Sequence, residues 1–315
     1  MLRVITGRFH PHLESALVDH IRCAKADDPF APIAVLVPST SLLDRVRRLL
    51  ALEQHLSLLN VHFLTFHQLA LRLADETRGQ SHVASPRVVD DLVFEQLVRH
   101  IVRSRLPSLA PLRHIGHSSG TWGALWSTIR DLKDAGIDPS AAVRGLGEGC
   151  FEKEDEAWLH ALFSLHAAVK EVGRTLGVGT PDDLAESLIP LVPTLAFLTT
   201  LRQVFYYGFY DLTQVQLSLF EAVSKTASTT LFFPLEEGAS YGFSRRFFDR
   251  HILPCVTRPD ALSRLGDARS PARTTDVGPV TLSIRSVIGM DEELAVTCRT
   301  ILDLVETNGY RFDDI

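Results

Sequence analysis

Hydrophobic and polar positions follow two periods along this chain, and the change of period divides it. Leu2 to Thr6 is a short apolar run, followed by a turn over Gly7 to Pro11. Leu13, Ala16, Leu17 and Ile21 then recur at helical spacing and mark the inner face of a helix. Ala31 to Val37 holds the unbroken run Ile33-Ala34-Val35-Leu36-Val37, which suits a strand covered on both faces. Pro38-Ser39-Thr40 is a loop with an N-capping hydroxyl, and Leu42, Val46, Leu49 and Leu50 line the next helix. Val61 to Thr65 is a third strand, leading into a helix through Phe66 to Ala74. Strand–helix alternation with short connections predicts a parallel sheet with right-handed crossovers.

From Ser85-Pro86 to about Leu201 the period is helical. Val88 to Ile101 makes one helix, and Trp122 to Leu132 another, closed by Ala135-Gly136. Trp158 to Val172 makes a third, closed by Gly173 or Gly177, and Pro181-Asp182-Asp183 opens a fourth. The α/β pattern returns with a strand over Val204–Tyr207, a helix over Thr213–Thr226 and a strand over Thr229–Phe233. Residues 1–85 and 202–250 are therefore expected to form one sheet domain, with 86–201 an all-helical insertion. Residues 251–279 read as a linker or surface loop, since Asp260 to Pro279 is rich in Arg, Ser, Asp and Pro. Residues 280–315 read as the start of a second α/β domain. There a strand to Val287 precedes a helix that Asp291-Glu292-Glu293 opens and Asn308-Gly309 closes.

A chain of 315 residues suits two or three domains, and 45% apolar residues suffice for a full core. No apolar run is long enough to span a bilayer, and the N-terminus enters a strand without a signal-peptide core. Cys23, Cys150, Cys255 and Cys298 are scattered, which fits neither a disulfide framework nor a zinc site. A cytoplasmic setting without membrane contact is the expectation. The net charge of −6 argues against a broad basic surface, so any contact with nucleic acid must be local or shared with a partner.

Two stretches bear on chemistry. A phosphate loop, G-x-x-x-x-G-K-S/T, needs a second Gly, a Lys and a hydroxyl. Counted from Gly7, those positions hold His12, Leu13 and Glu14, which disfavour a polyphosphate. The run Val204 to Gln216 has the form of a buried strand feeding a turn and a helix. It carries Tyr207 and Gly208 where an ATPase strand would end in two carboxylates. A phenol and a hydrogen atom neither hold Mg²⁺ nor take a proton at neutral pH. His10 and His12 lack a third metal ligand nearby, and Asp131-Leu132-Lys133 reads as surface charge on a helix.

These stretches resemble UvrD-type helicases. Phe209, Asp211 and Gln216 fall in register with the family's Phe/Tyr-Gln-Asp-Thr-x-x-x-Gln run. Thr65-Phe66-His67-Gln68-Leu69-Ala70 is similar to the helicase motif that touches single-stranded DNA. In order and spacing the chain resembles the N-terminal, helicase-like part of AddB/RexB-type helicase–nuclease subunits. The matching pieces are Val37-Pro38-Ser39, Thr65 to Ala70, Gly208-Phe209-Tyr210-Asp211-Leu212-Thr213-Gln214-Val215-Gln216, Phe233-Pro234-Leu235, Glu292-Glu293 and Asp314-Ile315.

The resemblance implies a RecA-like, P-loop-type parallel sheet with an inserted helical domain. It implies a helicase-shaped module that has lost its ATP site at Gly7, His12, Leu13, Glu14, Tyr207 and Gly208. Such a module guides or scans single-stranded DNA in double-strand-break repair and recombination, beside an AddA-like subunit. Thr65, Phe66 and His67 would touch DNA, with Arg45 and Arg48 beside its backbone and Arg47, Arg99, His100, Arg103 and Arg105 as further cations. The chain itself would need no cofactor. The family's iron–sulfur cysteines and Mg²⁺-dependent PD-(D/E)XK nuclease lie further downstream than Ile315. The competing readings are an unrelated α/β domain that binds a protein or ligand, and an active ATPase.

Overall fold

The apolar runs of the sequence pair side by side in one sheet. The computed structural model describes residues 2–77, 85–104, 107–114, 119–146, 153–238, 241–265 and 285–312. The first part of the chain gives β1 (Leu2–Gly7), α1 (Glu14–Asp27), β2 (Ile33–Leu36), α2 (Thr40–Arg48), β3 (Val61–Leu64) and α3 (Phe66–Thr77). Next come β4 (Arg87–Val88), α4 (Asp91–Arg103), α5 (Ser119–Asp134), α6 (Pro139–Gly145), α7 (Lys153–Leu176), β5 (Val178–Gly179), α8 (Pro181–Leu188) and α9 (Ala196–Thr200). The remainder is β6 (Gln203–Tyr207), α10 (Gln214–Thr226), β7 (Thr229–Pro234), α11 (Gly242–Phe247), β8 (Leu262–Arg264) and α12 (Met290–Asn308).

The main sheet has six strands in the order β3-β2-β6-β7-β1-β8, and each pairing in it is parallel. All carboxyl ends therefore point the same way, and the loops that leave them gather at one edge. Strand alternation sends successive side chains to opposite faces. Tyr206 joins Ala34, Leu36 and Phe233 on one face, under α3, α8, α9 and α10. Tyr207 joins Val35, Phe205 and Phe232 on the other, under α1 and α2. Covering both faces explains why these strands are apolar throughout.

The inserted helices have a separate core, built from Phe94, Val98, Trp122, Trp126, Leu162, Leu165 and their neighbours. Phe94 and Trp126 stack there with centroids 4.4 Å apart. The structure departs from the expected organisation in four places. The insertion is not all-helical, since β4 and β5 form a two-residue parallel pair that ties its start to its end. Helices α8 and α9, expected within it, bury Leu184, Leu188 and Leu198 in the sheet's core. Part of the expected linker is a strand, because β8 pairs with β1. No strand forms over residues 285–287; residues 280–284 and 313–315, where the rest of the expected strands fall, lie outside the described ones.

The chain divides into two units, Met1–Gly266 and Asp267–Ile315. Within the second, α12 is closed by Gly309 in the left-handed conformation, whose N–H donates to the Leu304 carbonyl.

Candidate functional site

Two places at the carboxyl edge of the sheet carry the residues that the motifs single out. The first lies where β1 and β6 end. Phe9 follows β1 and stacks on Tyr207, with centroids 5.0 Å apart and planes at 24°. Tyr210 is tilted against the same ring, its centroid 6.3 Å from that of Phe9. Gly208 has φ +87°, and a Cβ on it would lie 2.4 Å from Leu42 Cδ2 and 3.5 Å from Phe9 Cε2. A Cβ on Gly7 would meet the Leu265 side chain at 3.1 Å and His12 Cβ at 3.7 Å. Leu13 is fully buried in the α1–α2 face.

Charges around this end are paired. Glu14 meets His10 Nδ1 at 3.2 Å and Arg45 Nη2 at 3.5 Å, and Arg8 pairs with Glu236. The Tyr207 hydroxyl is buried and has no hydrogen-bond partner among the described residues. Burial, and then the nearby Glu14 carboxylate, push its pKa up, so it stays a neutral phenol.

The second place is an open cleft of about 480 Å³ at the ends of β2 and β3. Ser39, Thr65, Phe66, His67, Asp182 and Asp211 are among the residues that line it. Local chemistry fixes its walls. Ser39 caps α2 by accepting from Leu42 N at 3.2 Å. Thr65 caps α3 reciprocally with Gln68, its hydroxyl accepting from Gln68 N while Gln68 Oε1 accepts from Thr65 N. Thr213 and Gln216 repeat that capping box on α10. The two Thr-x-x-Gln signals, which the helicase likeness ties to function, thus first build helix starts.

Phe66 is half-buried. Its ring meets Phe209 edge-on at 5.2 Å and Tyr206 at 5.8 Å. A ring expected to stand free for a base is in part a core residue. His67 is exposed, and Asp182 lines the same cleft. Burial raises the pKa of Asp182, and Lys133 offsets part of that shift.

The arginines are not gathered here. Arg45 turns to Glu14 at the first place. Arg47 lies over the Phe63 ring at 5.3 Å, and Arg48 is exposed on α2 outside the cleft. Arg99, His100 and Arg103 sit on α4 among the inserted helices, where Arg103 approaches the Trp122 ring at 6.0 Å. Arg105 lies outside the described residues. The carboxylates in the cleft lining are Asp182 and Asp211, beside the imidazole of His67; no Lys or Arg lines it among the described residues.

Asp182 was invisible as a site residue because α8 reaches the cleft from far along the chain. Lys133 also differs from expectation. It is no surface charge but is largely buried, donating to both Asp183 carboxylate oxygens at 2.8 Å and to the Thr180 hydroxyl. Among the described residues, no group of three His, Cys, Asp or Glu side chains is placed to hold a metal ion. None of the described helices is long and apolar enough to cross a membrane.

Comparison with curated proteins finds no match. The family model described as ADDB, N-terminal, matches residues 4–242, which covers β1 to the start of α11. On that match, the chain belongs to the AddB N-terminal family.

Proposed function

We propose that this chain is a helicase-shaped module with a RecA-like sheet and no ATP chemistry, which holds single-stranded DNA at the carboxyl edge of that sheet. The observation that carries the reading is the contrast between the two places at that edge. Where a nucleotide's phosphates would lie in the helicase likeness, Phe9, Tyr207, Leu13 and Leu42 pack on one another. These residues do not fit Mg-ATP. They supply no ammonium for the phosphates, and the carboxylates beside them are engaged, Glu14 by His10 and Arg45 and Glu236 by Arg8. Nothing in this reading therefore runs through a nucleotide.

The neighbouring cleft is open and offers a ring, an imidazole and hydroxyls, groups suited to an unstacked base. Family membership supports a setting in DNA repair and recombination, with an AddA-like motor subunit as partner. The acidic lining and the net charge of −6 make affinity weak for the chain alone, with the partner supplying most phosphate contacts.

A second reading rests on the same lining. Two carboxylates and, among the described residues, no Lys or Arg also suit a basic segment of a partner protein. Fluorescence anisotropy of a labelled single-stranded oligonucleotide at low salt separates the two. The DNA reading expects binding that weakens several-fold in His67→Ala. No binding, with the AddA-like subunit absent and present, would leave the protein-docking reading standing.

A further inference from the structure

The start of α8 forms part of the wall of the sheet-edge cleft through Pro181, Asp182 and Ala185, and α10 reaches it through Gln216 and Leu219. A capping box shapes the start of α8. Asp183 Oδ2 accepts from the Thr180 N–H at 2.8 Å, and the Thr180 hydroxyl oxygen accepts from the Asp183 N–H at 3.2 Å. Lys133, in the last turn of α5, fastens onto this box. Its ammonium donates to both Asp183 oxygens at 2.8 Å and to the Thr180 hydroxyl oxygen at 3.1 Å. Burial by itself would raise the pKa of Asp183. Lys133 and the bonds from Thr180 outweigh it and hold the carboxyl below its ordinary value.

This ion pair joins two cores. Trp126 and Ile129 hold α5 in the inserted core, whereas Leu184 and Leu188 hold α8 in the core of the sheet. Moving either partner away leaves a largely buried charge without its counterion, so the contact tolerates little displacement. Just past α5, Gly136 meets α10. Its N–H donates to the Lys133 carbonyl at 2.8 Å, and a Cβ on it would lie 2.4 Å from Gln214 Cγ. Gln214 is the first residue of α10, shortly before Gln216 in the cleft lining. One end of α5 therefore touches the starts of two helices that wall the cleft.

We propose that this end of α5 positions the cleft, so that the inserted helices set its grip on single-stranded DNA through Lys133 and Gly136. The inference rests on the DNA reading above. Lys133 is a positioning residue. It is not among the residues lining the cleft and is bonded to Asp183, the neighbour in sequence of Asp182, which is. A shift of α5 moves the first turn of α8, and the Asp182 carboxylate in the cleft moves with it.

The test is fluorescence anisotropy of a labelled thymidine oligonucleotide at low salt, with the full chain alone and with the AddA-like subunit. Lys133→Met removes a cation and Asp183→Asn removes an anion. A plain charge effect would weaken binding of the polyanion in the first variant and strengthen it in the second. Positioning predicts that both weaken it, each about tenfold, with the fold retained by circular dichroism. Gly136→Ala changes no charge and should weaken binding as well. If the ion-pair variants do not fold, Gly136→Ala decides alone. Tighter binding in Asp183→Asn, or parent-like affinity in Gly136→Ala, would overturn the proposal. If His67→Ala still weakens binding in that case, the DNA reading stands without it. No binding by the parent in either form would remove both.

Discussion

At the ends of β1 and β6 the chain places Phe9 against Tyr207 and presses Leu42 onto Gly208; at the ends of β2 and β3, on the same sheet, it leaves a cleft. The two places share Pro38, which lines the cleft and stands 3.5 Å from the position of a Gly208 Cβ. Both arise from the same parallel edge, where successive loops open in the same direction. The difference comes from a few side chains. Apolar and aromatic residues close the first place. The second is lined instead by the capped helix starts at Ser39 and Thr65, short side chains whose hydroxyl oxygens accept from backbone N–H groups.

The largest expected effect is at the closed place. Tyr207→Ala empties a fully buried ring position and should cost about 3–5 kcal/mol of stability in urea unfolding. Tyr207→Phe sharpens this. The hydroxyl it removes is buried and unpartnered, so the variant should be as stable as the parent or slightly more so. A large loss in Tyr207→Phe would mean that the hydroxyl has a partner and that the closed place is more polar than described.

Next in size is a pH effect in the inserted core. The ring of His166 titrates near its ordinary value of 6.5 when unfolded and near 4 when folded, chiefly because it is buried. A depressed folded pKa means that the unfolded chain binds the proton more readily. The contribution is therefore complete above pH 6.5 and fades as pH falls towards 4, by roughly 2–3 kcal/mol. Urea unfolding at pH 7 and pH 4.5 should show a smaller loss in His166→Asn than in the parent. Equal losses in both would remove His166 as the cause.

Smaller effects test the open place. Phe66→Ala should cost about 1–2 kcal/mol, since half of the ring is packed on Phe209 and Tyr206. It is consequently an ambiguous probe of binding. Thr65→Ala should cost about 1 kcal/mol through the lost cap. His67→Ala should change thermal stability by no more than about 0.5 kcal/mol, because the side chain is exposed, and should act on binding alone. A His67→Ala variant that unfolds would show that the cleft wall is structural throughout.

Much of the sheet is legible in the sequence, for a physical reason. Runs such as Ile33 to Val37 and Val204 to Tyr207 are covered on both faces, so their apolar character is continuous and conspicuous. The capping Ser39 and the closing Gly309 act locally and are equally plain. Three features are not legible. β4 and β5 are two residues long and hold no period. β8, Leu262-Ser263-Arg264, is an exposed edge strand, so nothing selects an apolar pattern. Helices α8 and α9 have the same period whichever core they face, and only packing assigns them to the sheet.

The candidate site divides in the same way. That His12, Leu13 and Glu14 stand where a phosphate loop counted from Gly7 would need Gly, Lys and a hydroxyl is a local fact and can be read directly. The contacts Phe9–Tyr207 and Gly208–Leu42, and the meeting of His67 and Asp182 in one cleft, join distant segments, and no spacing announces them. Thr65 is instructive in another sense. The Thr-x-x-Gln pattern ahead of an apolar helix carries a capping-box reading on its face, and that reading describes what its hydroxyl does here.

The central claim, that the closed place has no room or chemistry for a nucleotide, is tested most directly by isothermal titration of the full chain with Mg-ATP. The account predicts heats no larger than those of dilution across the titration. A saturating isotherm with Kd in the range of about 1–100 µM, lost when Arg8 or Glu14 is replaced, would contradict it.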